Sequence, residues 1–398
     1  MKNKSKQYTV WLALGLYLVS VLTLNFAAFA QKDKKEEKDK PLPEKFAVKK
    51  LTVGVGLYAI GSISPDKKYL AFIAKKPNFP PNLYVMDLTD FSVRAPLTNM
   101  KWGANDPAWS PDSSTIAFAG FGDMGSFADI YTVKLDTGTI KRLTANNFTD
   151  KEPVFAPDGK KIFYTTDESP LEGAAFGILH IASIGLTGGK GEYFTDDEAS
   201  TIRATILKDG KSIFLVKIEE SSGRHSLWEY DLKGKPLRDL TEDRLARIHK
   251  FVFIPQKNSV VLWAQKQPEQ QDNLYLLDMA TLEIKDFPEP DLPKYAPAVS
   301  PDGNLIAFIA PSERGAHLFM YDSTTQQIIR LTTKGYNIHS PVFLTNEQII
   351  FGGERELPKP PIQKQVSKNT VTLEDQEPDK EIYLINLSQK IEEEKKKK

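Results

Sequence analysis

The chain has 398 residues, 40% of them hydrophobic and 26% charged, and its formal net charge at pH 7 is zero. Without an excess of basic residues, the composition gives no support for a nucleic-acid partner. The sequence contains no cysteine, which excludes disulfides, thiolate metal sites, a cysteine nucleophile and a lipidated cysteine.

The N-terminus has the pattern of a targeting segment. Three lysines within the first six residues precede an apolar run from Tyr8 to Leu24, and Ala28-Phe29-Ala30 matches a small-x-small cleavage site. We predict a signal peptide over residues 1–30, cleaved after Ala30, and therefore a periplasmic or secreted protein. An uncleaved signal anchor is the alternative, because the apolar run approaches the length that spans a bilayer.

Charged segments without hydrophobic periodicity flank the rest of the chain. Residues 31–45 are predicted to form a disordered tether and residues 389–398 a disordered tail. Residues 46–388 are predicted to fold, and no stretch among them is long and apolar enough to cross a bilayer.

A turn between two apolar strands recurs through this folded part. Clear copies are ISPDKKYLAF at 63–72, WSPDSSTIAF at 109–118 and VSPDGNLIAF at 299–308. The residues at the proline position lie 44 to 51 apart, and they are Pro65, Pro111, Pro157, Lys208, Pro255, Pro301 and Thr345. A period in the forties that consists only of strands is typical of a β-propeller, in which each unit is one small antiparallel sheet.

Each unit contains the elements of a four-stranded blade. Proline presets φ at the turn, and Gly159, Gly210 and Gly303 supply positive φ where the hairpin reverses. A strand with alternating aromatic or β-branched residues follows, such as NLYVMDL, and then an outer strand that ends in Leu-Thr.

The two ends of the folded part complement each other. Six units run to an outer-strand ending, whereas the seventh, from about Thr333 to Leu387, has three strands. The segment KFAVKKLT at 45–52 is an outer strand without a unit. Pairing Phe46–Thr52 with Glu381–Leu387 would close a seven-bladed ring and remove two exposed sheet edges. A six-bladed ring with an appended seventh unit is the alternative.

These motifs resemble a known family. The SPDG turn followed by IAF, the aromatic-Asp strand and the RLT ending are similar to the TolB-like, or WD-repeat-like, β-propeller repeat, over about residues 46–388. TolB itself carries an α/β domain before a six-bladed propeller, whereas here a charged tether precedes the repeats. Peptidases of the prolyl oligopeptidase group join such propellers to an α/β-hydrolase domain, but this chain has no G-x-S-x-G motif.

The five histidines of the chain bear on an enzymatic role. His180 and His317 fall within predicted strands and are expected to be structural, and His225 is expected to be solvated in a hairpin loop. His249 and His339 stand six residues before the proline position, at the start of the innermost strand. Related metal-dependent polysaccharide lyases place histidines in the propeller channel, but two histidines fall short of a three-ligand site. We therefore predict no metal, no cofactor and no catalytic residue.

The candidate binding site follows from this register. Polar, varied residues occur at this position, or one step after it, in successive units, so they should surround one mouth of the channel. The predicted binding residues are Asn105, Asp106, Lys151, Glu152, Arg203, His249, Lys250, Tyr295 and His339. A channel mouth is polar in any propeller, which is the alternative explanation of the pattern.

The seventh unit contains one large departure from the repeat. Residues 355–379 are inserted between its second and third strands, and they are proline-rich, charged and free of aromatic residues. Disorder and an extended partner-binding arm are both compatible with this composition.

The combined prediction is an all-β protein, a seven-bladed propeller of four-stranded antiparallel blades. We expect an exported monomer that serves as a scaffold in the cell envelope and binds a protein or small ligand at the channel mouth. An enzyme similar to a polysaccharide lyase, with its site in the channel, is the alternative.

Overall fold

A computed structural model describes the following residues of the chain: 45–52, 56–76, 78–122, 125–168, 178–195, 199–207, 210–289, 291–312, 315–333, 336–354, 362–367, 370–374 and 380–390. The predicted signal peptide, nearly all of the predicted tether and most of the predicted tail lie outside these residues. Within them, no helix is long and apolar enough to span a membrane.

The first half of the described chain is built from strands in the order the repeats predict. The strands are β1 (Phe46–Lys50), β2 (Gly56–Ile63), β3 (Tyr69–Lys75), β4 (Asn82–Asp87), β5 (Ala104–Trp109), β6 (Thr115–Phe121), β7 (Ala128–Lys134), β8 (Ile140–Arg142), β9 (Asp150–Phe155), β10 (Lys161–Thr166), β11 (His180–Gly185), β12 (Glu192–Tyr193), β13 (Ser200–Ile206), β14 (Ser212–Ile218), β15 (His225–Asp231) and β16 (Pro236–Asp239).

The second half continues the pattern, with one short 3₁₀ helix at Pro255–Lys257. Its strands are β17 (Arg247–Ile254), β18 (Ser259–Gln265), β19 (Asn273–Asp278), β20 (Ile284–Asp286), β21 (Tyr295–Val299), β22 (Leu305–Ser312), β23 (Gly315–Asp322), β24 (Gln327–Arg330), β25 (Tyr336–Phe343), β26 (Gln348–Glu354), β27 (Ile362–Ser367), β28 (Thr370–Glu374) and β29 (Glu381–Lys390).

These strands form seven antiparallel blades. Blades 2 to 6 each contain four consecutive strands, beginning with β5, β9, β13, β17 and β21 as the innermost strands. Blade 1 consists of β2, β3 and β4, and its fourth strand is reduced to a single bridge between Met86 and Val93. Pro96 lies in this outer segment and lacks the N–H that a regular ladder requires. The predicted seven-bladed fold is confirmed.

The N-terminal strand closes the seventh blade, as predicted. The sheet order is β1-β29-β26-β25, and Val48, Lys49 and Lys50 pair with Ile385, Leu384 and Tyr383. The strand β29 ends at Lys390 and so includes two residues that were predicted to belong to the charged tail. The ring is therefore closed by the two ends of the folded chain.

The Leu-Thr endings of the outer strands have a shared structural role. In six blades the threonine hydroxyl accepts a backbone N–H from one of the first four residues of the third strand, at 2.8–3.0 Å. These threonines are buried, and they are Thr52, Thr98, Thr144, Thr195, Thr241 and Thr332. In blade 5, where Phe287 replaces threonine, the side chain of Asn273 accepts the equivalent N–H of Leu274 at 2.8 Å.

The hydrophobic core is divided among the blade interfaces. Buried apolar residues of the described chain form seven clusters, each between two neighbouring blades. The cluster that joins the last blade to the first contains Ile382 and Leu384 together with Leu57 and Phe72. Phe46, from the closing strand, is 3% exposed and belongs to the cluster between blades 6 and 7. Each interface thus stabilises the ring by burying apolar surface.

The two faces of the ring have different connections. One face carries the turns from first to second strands and from third to fourth strands, and we call it the "hairpin face". The opposite face carries the other connections, and we call it the "loop face". On the hairpin face Lys67, Ser113, Gly159, Gly210 and Gly303 have φ between +62° and +78°. The positive φ predicted for the three glycines is confirmed.

The predicted insertion in blade 7 contains regular structure. The strands β27 and β28 pair with each other as an antiparallel hairpin, with Lys364 opposite Thr372. The rest of the insertion, residues 355–361, 368–369 and 375–379, lies outside the described residues. Whether the segment is otherwise disordered or serves as a partner-binding arm stays a prediction.

Candidate functional site

The innermost strands share an irregularity at the predicted site. A shift of register interrupts the pairing of first and second strands in all seven blades. Five residues at these bulges have φ between +50° and +59°, a region that costs energy for residues other than glycine. They are Asp106, Glu152, Arg203, Ala296 and Ser340. Proline follows four of them, and a residue without an N–H is compatible with a bulge or an edge strand.

Two carboxylates face each other across blades 2 and 3. The backbone N–H of Glu152 donates to Asp106 Oδ2 at 3.3 Å, and the hydroxyl of Thr165 donates to Glu152 Oε2 at 3.1 Å. Asp106 is exposed to solvent, yet protein surrounds it closely enough that desolvation raises the pKa of its carboxyl group. The charge of Lys151 acts in the opposite direction. Asn105 precedes this pair on β5 and is half-buried.

Basic residues occupy the same position in blades 4 and 5. Arg203 Nη1 donates to the carbonyl oxygen of Ile248 at 3.2 Å, so this guanidinium group of β13 reaches the neighbouring innermost strand. Arg247 is exposed at the first residue of β17. Lys250, also exposed, follows on the same strand, and desolvation by the surrounding protein lowers the pKa of its ammonium group.

His225 links the two blades and corrects one prediction. It was expected to be solvated, but it is half-buried at the start of β15, and its Nδ1 accepts the backbone N–H of Ile248 at 3.1 Å. Burial, followed by the positive charges of Arg203 and Arg247, lowers the pKa of His225 to about 4. The ring is therefore neutral at pH 7, and its Nδ1 is already occupied.

His249 lies in a cluster of tilted aromatic rings. Its ring centroid is 4.7 Å from that of Trp263, which in turn is 6.0 Å from the ring of Tyr295. His249 Nε2 is 2.9 Å from Asp272 Oδ1, on the connection that precedes β19. These contacts bring together two predicted site residues, His249 and Tyr295, from neighbouring blades.

His339 is held apart from the other histidines. Its Nδ1 is 3.2 Å from Ser340 Oγ, and Gly352 lies beneath the ring so closely that a Cβ there would come within 2.5 Å of the imidazole. Burial lowers the pKa of His339 to about 4. His180 and His317 are fully buried at the starts of their strands, as expected of structural histidines. Within the described residues, no group of three or more histidines and carboxylates could hold a metal ion.

Exposed aromatic residues mark a part of the loop face that the sequence did not predict. Of the seven large hydrophobic side chains that are exposed in the described chain, four are aromatic and lie on loop-face segments of blades 1 and 2. Their exposed fractions are 58% for Tyr58, 65% for Phe79, 52% for Trp102 and 42% for Phe127. The other three, Ile140, Leu186 and Leu237, lie in outer strands or turns. We call the four aromatic residues the "aromatic patch".

Two of these aromatic residues are held in place by adjacent backbone. The ring of Trp102 lies against Gly125, where φ is +68° and a Cβ would come within 2.9 Å of the indole. Phe79 belongs to the connection from β3 to β4, whose Pro81 accepts the N–H of Ala104 at 2.9 Å. A cleft of about 190 Å³ beside Phe79 is lined also by Lys76, Pro80 and Asn99. The connections of two blades therefore form one continuous surface.

The repeats match one protein family. A profile of the family described as "TolB beta propeller domain" matches residues 50–272, which is more than half of the chain. The chain belongs to this TolB β-propeller family. The resemblance inferred from the repeats is thereby confirmed, and the propeller extends beyond the matched residues to β29.

Curated relatives of this propeller include an enzyme and a protein of the Tol-Pal system. Dipeptidyl-peptidase 5 of Porphyromonas gingivalis is 26% identical over 180 residues, which cover 44% of this chain and 25% of that protein. Tol-Pal system protein TolB of Francisella tularensis subsp. mediasiatica is 22% identical over 212 residues, covering 52% of this chain and 46% of that protein. The chain thus matches less than half the length of each relative.

A solved structure of a lyase has the same fold over its whole length. Oligogalacturonate lyase from Vibrio parahaemolyticus superposes with a TM-score of 0.62 at 14% identity, covering 87% of this chain and 96% of that one. At this level of identity the similarity concerns the fold alone. A Tol-Pal system protein and enzymes therefore both occur among the proteins that are similar to this chain.

Proposed function

We propose that the chain is an exported scaffold of the cell envelope whose loop face binds a protein partner. The observation that carries this proposal is the aromatic patch. Tyrosine, tryptophan and phenylalanine are enriched at protein interfaces, where they supply much of the binding free energy. Four such side chains on the loop-face segments of two adjacent blades expose apolar area of the kind that interaction sites use.

Export and the site of action are part of this proposal. The N-terminal pattern of lysines, apolar run and Ala28-Phe29-Ala30 favours a periplasmic or secreted protein. The relative from Francisella tularensis belongs to the Tol-Pal system, and membership of a propeller family with such a protein supports a binding role. The ring mouth, with Arg203, His249 and Tyr295 in blades 4 to 6, would contribute polar contacts on the same face as the aromatic patch.

Capture from the native envelope tests the proposal. The purified full-length exported chain serves as bait, and the same capture is repeated with the double variant Phe79→Ala/Trp102→Ala. We expect this variant to lose the partner, because truncation of an aromatic anchor commonly costs about 2 kcal/mol or more of binding free energy. The matched control is Ile140→Ala/Leu237→Ala, which removes exposed apolar side chains from outer strands and should retain the partner. Equal capture by both double variants would contradict the proposed face.

A second pair of variants locates the contribution of the channel mouth. The triple variant Arg203→Ala/His249→Ala/Tyr295→Ala should weaken capture, since all three residues lie at the loop face. The control Lys67→Ala/Lys160→Ala/Asn304→Ala alters the hairpin face and should not. Loss of binding in the control alone would assign the working face to the opposite side of the ring.

A carbohydrate-active enzyme is the second candidate. The contact of 2.9 Å between His249 and Asp272 favours it, because a carboxylate fixes the tautomer and orientation of a histidine that acts as a base. We expect the purified chain to release no new reducing ends from oligogalacturonate and to bind no stoichiometric transition metal in elemental analysis. Cleavage that disappears in His249→Ala or after chelation would replace the scaffold with the enzyme.

A further inference from the structure

Three cations on adjacent innermost strands form a separate feature of the loop face. We call Arg203 of β13 together with Arg247 and Lys250 of β17 the "basic arc". Arg203 spans the two strands through its contact with the carbonyl oxygen of Ile248 at 3.2 Å. Its backbone lies in the left-handed region, with φ of +59°. Strained conformations of this kind persist only where the surrounding structure imposes them, and they are frequent at binding sites.

No carboxylate of the described residues forms an ion pair with these charges. Among the described residues, none of the three cations forms an ion pair, although ten ion pairs are formed elsewhere in this part of the chain. Asp272, which lies at the same mouth, is in contact with His249. The one hydrogen bond of Arg203 leaves further N–H donors of its guanidinium group available.

The surroundings of the basic arc disfavour positive charge. Desolvation lowers the pKa of Lys250, and burial together with the charges of Arg203 and Arg247 lowers that of His225. A desolvated ammonium group that has no ion pair among the described residues and lies near two guanidinium groups carries an unfavourable electrostatic free energy. Entry of an anion would relieve it.

We infer that the basic arc binds an anionic ligand through carboxylate or phosphate groups. Two guanidinium groups and one ammonium group suit such ligands, since arginine donates two parallel hydrogen bonds to either group. The ring cluster of His249, Trp263 and Tyr295 next to Lys250 adds an aromatic surface on which the ligand's apolar part could pack. This inference deepens the proposed binding function of the loop face and rests on it.

Calorimetric titration of the full exported chain tests the inference directly. The probes are trigalacturonate for carboxylate, inorganic pyrophosphate for phosphate, and maltotriose as the neutral reference, at about 20 mM salt, where screening is weak. We expect one or both anions to bind and maltotriose not to bind. The anion that binds more tightly identifies the class of the ligand. Absence of binding by both anions, or equal binding of maltotriose, would overturn the inference.

Matched variants assign the binding to the arc. Arg203→Gln/Lys250→Met should weaken anion binding by about tenfold or more, since each lost charge-assisted contact commonly costs that factor. The control Lys134→Met/Lys160→Met removes two exposed lysines with no ion pair among the described residues, and should change affinity by less than about twofold. Equal weakening in both double variants would overturn the assignment.

Two further measurements keep the test decisive. If the double variant does not fold, Lys250→Met alone, at an exposed position, replaces it, and about 0.5 M salt should weaken binding to the wild-type chain. Capture of a partner without anion binding would reject the basic arc alone. Anion binding without capture would reject the protein partner alone.

Discussion

The hairpin face and the loop face of this ring use the same residue types in opposite ways. On the hairpin face, Asp66 and Asp112 each accept a serine hydroxyl at 2.6 Å, from Ser64 and Ser110 respectively. These hydrogen bonds lower the pKa of both carboxyl groups. On the loop face, desolvation by the surrounding protein raises the pKa of Asp106 and of Asp150.

This difference in pKa distinguishes carboxylates that stabilise the fold from groups that remain available to bind a ligand. A hairpin-face carboxylate accepts hydrogen bonds from residues of its own turn. Similar contacts recur from blade to blade because the turns have similar sequences. The loop-face groups differ between blades, adopt strained backbone and include cations without ion pairs among the described residues. A charged group that makes no ion pair within the fold remains available to interact with a ligand.

Removal of the closing strand should break this arrangement most severely, because both faces depend on a complete ring. In a variant that begins at Val53, the buried carboxylate of Glu381 loses Thr52 at 2.6 Å and Lys50 at 3.1 Å, and the ring loses buried Phe46. The lost contacts of this buried carboxylate and the lost apolar side chain should together lower the free energy of unfolding by about 5 kcal/mol or more. Urea denaturation measures this change in the free energy of unfolding.

The control for this deletion begins at Lys45, which retains the whole of β1. It should unfold at the same urea concentration as the chain that begins at Gln31. An unchanged midpoint for the variant that begins at Val53 would mean that β1 does not stabilise blade 7.

The sequence predicted the features of this fold that repeat. Blade number, the positive φ of Gly159 and the pairing of Phe46–Thr52 follow from a period that seven units share, so each unit supports the prediction for the others. The exposed Phe79 and Trp102 could not be predicted in this way. An aromatic residue in a non-repeated loop has the same sequence signature whether it is buried or exposed.

The candidate site was predictable in position but not in geometry. The repeat register correctly placed Arg203 and His249 on the innermost strands. The contact between His225 and Ile248 joins two blades, and no sequence pattern near either residue predicts it. Prolines 107, 153, 297 and 341 did signal interrupted pairing of the innermost strands. They could not indicate which neighbouring residue adopts positive φ.

The pH dependence of stability should sharpen the contrast between the faces. Burial raises the pKa of Asp150 from 3.8 to about 6, so the folded chain binds this proton more tightly than the unfolded chain. The resulting stabilisation is present below about pH 4 and is lost as the pH rises to about 6, by at most about 3 kcal/mol. Asp150→Asn should lack this loss, which urea denaturation at several pH values measures.

Asp112→Asn provides the hairpin-face counterpart to this measurement. Its pKa is lowered in the folded chain, chiefly by the hydroxyl of Ser110. The stabilisation by Asp112 is therefore present above the unfolded pKa and is lost as the pH falls through the folded value. If both variants changed the pH dependence in the same direction, the two faces would not differ in the way described.

The smallest effect should appear when one carboxylate on each face loses its charge at pH 7. Asp112 accepts hydrogen bonds from Ser110 and from the backbone and hydroxyl of Ser114, between 2.6 and 3.1 Å. Asp112→Asn weakens these charge-assisted bonds and should lower the free energy of unfolding by about 1 kcal/mol. Asp106→Asn instead relieves a desolvated charge, and its amide oxygen can still accept the N–H of Glu152. We expect no destabilisation from it, and an equal loss in both variants at pH 7 would show that Asp106 is held by the fold as firmly as Asp112.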